Sequence, residues 1–218
     1  MNDEQHLSIL LADDHQMIID GIKSMLAQES SVSVAGEANN GQQAFNMISA
    51  DSAKFNVLLT DISMPLLSGI ELCKMVKKQY PAIQVLMLSM YNSTAAVRES
   101  LMAEADGYIL KSAGKDELLT ALHRISQGGT YFSDDILPII YNQYQKEKTQ
   151  EAKLANLSLR EKEVLTLIVK EHTSTEIAEK LFISKKTVDN HRQNILDKCD
   201  CKTTIGLVKF ALNNGLAQ

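Results

Sequence analysis

Cysteine is scarce, three in 218 residues, and Cys73, Cys199 and Cys201 cannot build the disulfide framework of a small secreted domain. Reduced thiols are the expected state. A zinc site calls for about four ligands, and beside Cys199 and Cys201 only His191 offers a third. Long apolar runs are missing too: about 18 consecutive apolar residues would span a bilayer, and no stretch approaches that. The opening MNDEQHLSILLADD has no basic region ahead of an apolar core and does not read as a secretory signal. These gaps lead to the expectation of a cytoplasmic protein with no membrane partner.

The length suits two domains, each large enough for its own core. Charge divides unevenly, with nine Lys and Arg against fifteen Asp and Glu in residues 1–130, and ten against eight in residues 156–218. An acidic half suits a divalent cation, and a mildly basic half is compatible with nucleic acid.

Residues 1–130 alternate between two periods. Short runs rich in Val, Ile and Leu recur at Ser8–Ala12, Val32–Ala38, Asn56–Thr60, Gln84–Ser89 and Gly107–Leu110. Between them, apolar residues recur at helical spacing, as in Met17, Ile18, Ile22, Met25 and Leu26, or Leu118, Leu119, Leu122 and Ile125. Continuous apolar strands joined by helices predict a parallel sheet covered on both faces, with ligands bound beyond the carboxyl ends of its strands.

Those ends carry Asp13 and Asp14 after the first strand, Asp61 after the third, Ser89 at the end of the fourth and Lys111 after the fifth. Singly, an Asp there is a helix cap or a solvated turn, and a Lys is surface. Jointly they need another explanation, because close carboxylates repel unless a cation or proton intervenes. Mg²⁺ takes few carboxylates, keeps several waters and accepts phosphate oxygens, so the set suits phosphoryl transfer.

Asp13-Asp14, Asp61 followed by Ile-Ser-Met-Pro and then Ser68-Gly69, Ser89, and Tyr108-Ile-Leu-Lys111 resemble a receiver domain over roughly residues 7–127. The resemblance implies a flavodoxin-like doubly wound sheet of strand order 2-1-3-4-5. It makes Asp61 the phosphoacceptor and Lys111 its cationic partner, with Asp13, Asp14, Asp61 and the backbone carbonyl of Ser63 holding Mg²⁺. It implies a sensor histidine kinase as phosphoryl donor, and a switch in which Ser89 moves toward the phosphoryl group while Tyr108 turns inward.

Residues 131–155 read as a polar linker, with Ile136, Leu137, Ile139 and Ile140 able to start a short helix. In residues 156–218, Ser158-Leu-Arg-Glu161 and Thr173-Ser-Thr-Glu176 are capping-box patterns, and Ser184 precedes a third helical run. The apolar stripes are Val164, Leu165, Ile168; Ile177, Ala178, Leu181; Val188, His191, Ile195; and Ile205, Val208, Leu212. They predict four short helices, the second and third joined tightly as a helix-turn-helix. With Val188 turned inward, Lys186, Asn190 and Gln193 face outward, flanked by Thr187 and Asp189. Asn and Gln amides can read adenine, while Lys185, Lys186 and Thr187 can hold phosphate.

Leu157-Ser-Leu-Arg-Glu-Lys-Glu-Val-Leu, Glu176-Ile-Ala-Glu-Lys-Leu and Ile183-Ser-Lys-Lys-Thr-Val-Asp-Asn-His-Arg-Gln-Asn-Ile resemble a LuxR-type helix-turn-helix over residues 157–216. Joined to a receiver, this is the arrangement of NarL/FixJ-type response regulators, and it implies double-stranded DNA as partner and a homodimer when phosphorylated. Asp189 departs from the Lys usual in that family. An acid there repels DNA or accepts from cytosine N4. Two other readings stand beside this one: a DNA-binding regulator indifferent to phosphorylation, and a phosphatase working through an aspartyl phosphate.

Overall fold

The computed structural model describes residues 6–90 and 92–214. Residues 1–5, 91 and 215–218, which the expected domains include, lie outside the described residues. The chain divides between Tyr141 and Asn142 into two compact units.

The first unit runs β1 (Leu7–Ala12), α1 (Gln16–Leu26), β2 (Val32–Ala38), α2 (Gly41–Ala50), β3 (Val57–Asp61), α3 (Gly69–Gln79), β4 (Gln84–Ser89), α4 (Thr94–Met102), β5 (Gly107–Leu110), α5 (Lys115–Ser126) and β6 (Tyr131–Phe132). The strands form one parallel sheet in the order β2-β1-β3-β4-β5-β6. The apolar runs are continuous because the sheet is buried on both sides. Leu10, Leu58, Val85, Met87 and Tyr108 face a core shared with α2, α3 and α4. Ile9, Leu11, Leu59, Leu86, Leu88 and Ile109 face the core under α1 and α5.

Five apolar runs predict a sheet that ends at β5. The structure adds β6, whose two residues pair with Gly107 and Tyr108. Beyond it the Ser133 N–H donates to the Tyr108 carbonyl at 3.1 Å, and the Ser133 hydroxyl donates to Glu117 Oε1 at 2.5 Å.

The segment read as a linker forms one 19-residue helix, α6 (Leu137–Ala155). Pro138 sits in its first turn, where a missing N–H costs nothing. Ile136, Ile139 and Ile140 pack on the core of the first unit. Leu154 packs on that of the second.

The second unit contains α7 (Leu159–Val169), α8 (Ser174–Leu181), α9 (Lys185–Cys199) and α10 (Thr204–Asn213). Capping boxes form at Ser158 with Glu161 and at Thr173 with Glu176, and the Ser184 hydroxyl accepts from the Thr187 N–H at 3.1 Å. Val164, Leu165, Ile168, Ile177, Ala178, Val188 and Ile195 make the core as the stripes predict.

The fourth stripe differs. Leu207, Phe210 and Ala211 are buried in α10, whereas Ile205 and Leu212 are 71% and 55% exposed. Residues 204–212 are apolar on nearly every side of the helix, so spacing alone cannot choose the inward face; packing on α7 and α9 chooses it.

Candidate phosphoacceptor site and nucleic-acid interface

Sheet register brings the first set of residues together. Asp61 closes β3 opposite Leu88, and Ser89 closes β4 opposite Leu110. The Lys111 N–H then donates to the Ser89 carbonyl at 2.7 Å. Three adjacent strands thus deliver a carboxylate, a hydroxyl and an ammonium at successive steps along one sheet edge, with Asp13 at the end of the neighbouring β1.

Lys111 is the centre of this group. Its Nζ lies 2.6 Å from Asp13 Oδ2 and 3.1 Å from Asp61 Oδ1, with a side chain only 3% exposed. Asp61 Oδ1 also accepts from the Ile62 N–H at 2.9 Å. Burial pushes the Asp61 carboxyl above the usual carboxylate range; Lys111 pulls it down and the Asp13 charge adds to the rise. Asp13 Oδ2 is buried and has the Lys111 ammonium as its one partner among the described residues, with no further hydrogen bond to it.

Such an oxygen fits a cation. Asp13, Asp14, His15 and Asp61 each offer one donor atom, and these atoms lie within 4.8 Å of one another. Mainly oxygen donors beside an opening to solvent suit a hard divalent ion that keeps its waters. His15 is not among the residues that strand ends single out. It occupies the N-cap position of α1 without capping it. Its Nδ1 instead lies 2.9 Å from Asp14 Oδ1 and 3.2 Å from Asp13 Oδ1. Its place directly after Asp13-Asp14 is the signal that could have found it.

Gly69 holds the Asp61 loop. A Cβ there would lie 1.9 Å from the Asp61 carbonyl oxygen, and the Gly69 N–H donates to the Ile62 carbonyl at 2.9 Å. Only glycine allows α3 to start this close to the strand end. Leu66 turns the loop with a left-handed φ of 67°, and Ser63 lies exposed in the bend after Asp61.

Tyr108 is fully buried and hydrogen-bonded to Ser89; burial pushes its phenol up, the Ser89 bond pulls it down, and the Asp61 charge adds to the rise. The inward position that the resemblance assigns to the activated switch is therefore occupied in this structure.

The second set lies on α9. Lys185, Lys186, Asp189, Asn190 and Gln193 are exposed, and Thr187 is half-buried against its own cap. Arg192 is turned into the bundle, donating to Ser174 Oγ at 2.9 Å and Thr204 Oγ1 at 3.0 Å. It ties α9 to the starts of α8 and α10. Phe182, left-handed with φ 54°, makes the turn between α8 and α9 and is 94% exposed. Cys199 lies in the core with its thiol pushed up to about 11 by burial, and Cys73 is likewise pushed up to about 12. Both are poor nucleophiles at neutral pH.

A parallel sheet with an acidic cluster and a lysine at its carboxyl edge, joined to a capped helix-turn-helix, defines the class of DNA-binding proteins built on a receiver-type domain. Residues 9–123 match the response regulator receiver domain, and residues 155–211 match the bacterial regulatory proteins of the luxR family. The transcriptional regulatory protein MctR of Rhizobium johnstonii is 34% identical over all of this chain and 99% of its own. The oxygen regulatory protein NreC of Staphylococcus carnosus is 32% identical over 96% of this chain and 99% of its own. Among solved structures, RcsB from Salmonella enterica serovar Typhimurium, bound to a promoter in the presence of phosphomimetic BeF3−, is 28% identical. Its TM-score is 0.57, covering 94% of this chain and 97% of that one. The chain belongs to the NarL/FixJ-type response regulators, transcription regulators that join a receiver domain to a LuxR-type DNA-binding domain.

Proposed function

We propose that Asp61 accepts a phosphoryl group from a sensor histidine kinase, and that the aspartyl phosphate controls binding of α9 to double-stranded DNA. The observation that carries this reading is the buried Lys111 ammonium between Asp13 and Asp61. It marks the place where negative charge collects when Asp61 is modified.

A carboxylate oxygen of Asp61 attacks phosphorus, the P–N bond of the donor phosphohistidine breaks, and the imidazole leaves with the electron pair and takes up a proton. Lys111 neutralises charge on the phosphoryl oxygens. Asp13, Asp14, Asp61 and the Ser63 carbonyl would hold Mg²⁺, which when bound supplies positive charge for the same oxygens. Asp61 remains modified until water releases the phosphate, so the chain is an acceptor with at most slow self-dephosphorylation.

The added charge and acceptor oxygens favour a conformation in which the Ser89 hydroxyl turns from Tyr108 to the phosphoryl group. Tyr108, freed of that bond, repacks, and its pairing with Phe132 and Ser133 passes the change to the start of α6. Residues 1–130 act as the receiver, 131–155 as the connecting segment and 156–218 as the DNA-binding domain. The phosphorylated form pairs as a homodimer, placing two α9 helices on half-sites about one turn, ~34 Å, apart. Lys185, Lys186 and Thr187 hold phosphate, while Asp189, Asn190 and Gln193 face the bases. The chain works in the cytoplasm, where a DNA-binding regulator meets its target. None of its described helices is long and apolar enough to cross a membrane.

Intact mass after incubation with acetyl phosphate and Mg²⁺ tests the acceptor. One phosphoryl group on the wild type and none on Asp61→Asn is expected; an adduct on both would move the acceptor elsewhere.

A further inference from the structure

We propose that the exposed face of α9 reads cytosine and adenine rather than guanine, and that Asp189 is the residue selecting cytosine. This rests on the DNA-binding reading above and adds the base preference.

From Thr187 to Asp197 the exposed side chains of α9 are Asp189, Asn190, Gln193, Asn194 and Asp197, two carboxylates and three amides. The one Lys or Arg in that stretch, Arg192, is spent on Ser174 and Thr204 inside the bundle. The exposed cations of α9 lie outside it, at Lys185 and Lys186 in the first turn and at Lys198 in the last, where the ammonium is held by Glu161. The helix therefore has charge for phosphate at its start and, from Thr187 to Asp197, no exposed guanidinium or ammonium.

In the major groove guanine shows two acceptors, N7 and O6, and is read by the paired donors of Arg or Lys. A carboxylate has only acceptors. Beside guanine Asp189 meets like charge; beside cytosine it accepts from N4. Asn190 and Gln193 carry both a donor and an acceptor, the pair that adenine N7 and N6 require. Gln193 is also oriented in advance: its Nε2 donates to Asp197 Oδ1 at 3.0 Å, one turn on. Asp197 is thus a positioning residue for this contact.

The experiment selects binding sites from random-sequence duplexes with full-length protein treated with acetyl phosphate and Mg²⁺, using the wild type, Asp189→Ala and Asp189→Lys. The wild type should select a C·G pair within each half-site and prefer it on the order of tenfold over the alternatives. Asp189→Ala should lose that preference while keeping the adenines, and Asp189→Lys should reverse the pair to G·C. Replacing the guanine opposite the selected cytosine by 7-deazaguanine, which lacks N7, should leave wild-type affinity unchanged. An unchanged selection with Asp189→Ala, or a tenfold loss on 7-deazaguanine, overturns the inference alone. Failure of the wild type to select any sequence overturns it together with the DNA-binding reading.

Discussion

Asp61 carries a cost that its position explains. Its carboxyl lies above the usual range because burial opposes the charged form, with Asp13 adding to the effect and Lys111 offsetting part of it. A carboxyl raised on folding contributes stability fully present below its unfolded value, near 3.9, and lost as pH rises through the folded value. At neutral pH the ionised group therefore weakens the fold, a burden expected of a functional site. Asp61→Asn should melt at a higher temperature than the wild type at pH 7 without divalent metal; a lower melting temperature would contradict this. At this scale Asp13, Asp14, Asp61, Ser89 and Lys111 were legible, because strand ends follow from apolar runs and register does the rest. His15 was not, since a histidine after two acids reads first as a helix start. The full burial of Tyr108 was not either. It depends on β6 and on Ile136, which join the same side of the sheet from residues far along the chain.

Elements with strong local signals were read correctly, and those that depend on distant packing were not. Capping boxes at Ser158 and Thr173 are written in four residues each and form as written. The two-residue β6 is too short for any periodicity. Residues 143–155 are rich in Gln, Lys, Glu and Ala, all good helix formers, and the polar composition that suggested a linker is what an exposed helix requires. The inward face of α10 gives a direct comparison: Leu207→Ala should cost about 2–5 kcal/mol in urea unfolding, whereas Ile205→Ala should stay within about 0.5 kcal/mol. Equal costs would contradict the inward face that Leu207, Phe210 and Ala211 define. In α7, Glu161 is 3% exposed and accepts from Lys198 Nζ at 2.9 and 2.7 Å and from the Ser158 N–H at 2.7 Å. Its burial acts upward, but Lys198 and Ser158 outweigh that and hold the carboxyl below the usual range. A lowered carboxyl contributes stability present above its unfolded value, about 4.3, and lost as pH falls through the folded one. Glu161→Gln should weaken the bundle by roughly 1–3 kcal/mol at pH 7, with the gap from wild type closing as pH drops below about 4. A gap constant with pH would mean that shape, and not charge, is what Glu161 contributes.

For the whole molecule the proposed function gives the two units opposite tasks, the acidic one to take a cation and a phosphoryl group, the other to present α9 to DNA. Composition hinted at the division and helical and strand periods located it, but neither could say how one unit informs the other. The coupling proposed here requires that phosphorylation favour the DNA-binding state; moving a population from about 1% to 99% takes ~5.5 kcal/mol, a differential that charge-assisted hydrogen bonds and dimerisation can supply together. The direct test is DNA affinity, by mobility shift on the selected site, for wild type and Asp61→Asn with and without acetyl phosphate and Mg²⁺. Tighter binding on phosphorylation of the wild type, with Asp61→Asn fixed at the weak level under both conditions, is the predicted result. Equal affinity of all four samples would contradict the account and leave a regulator that binds DNA without reference to its receiver.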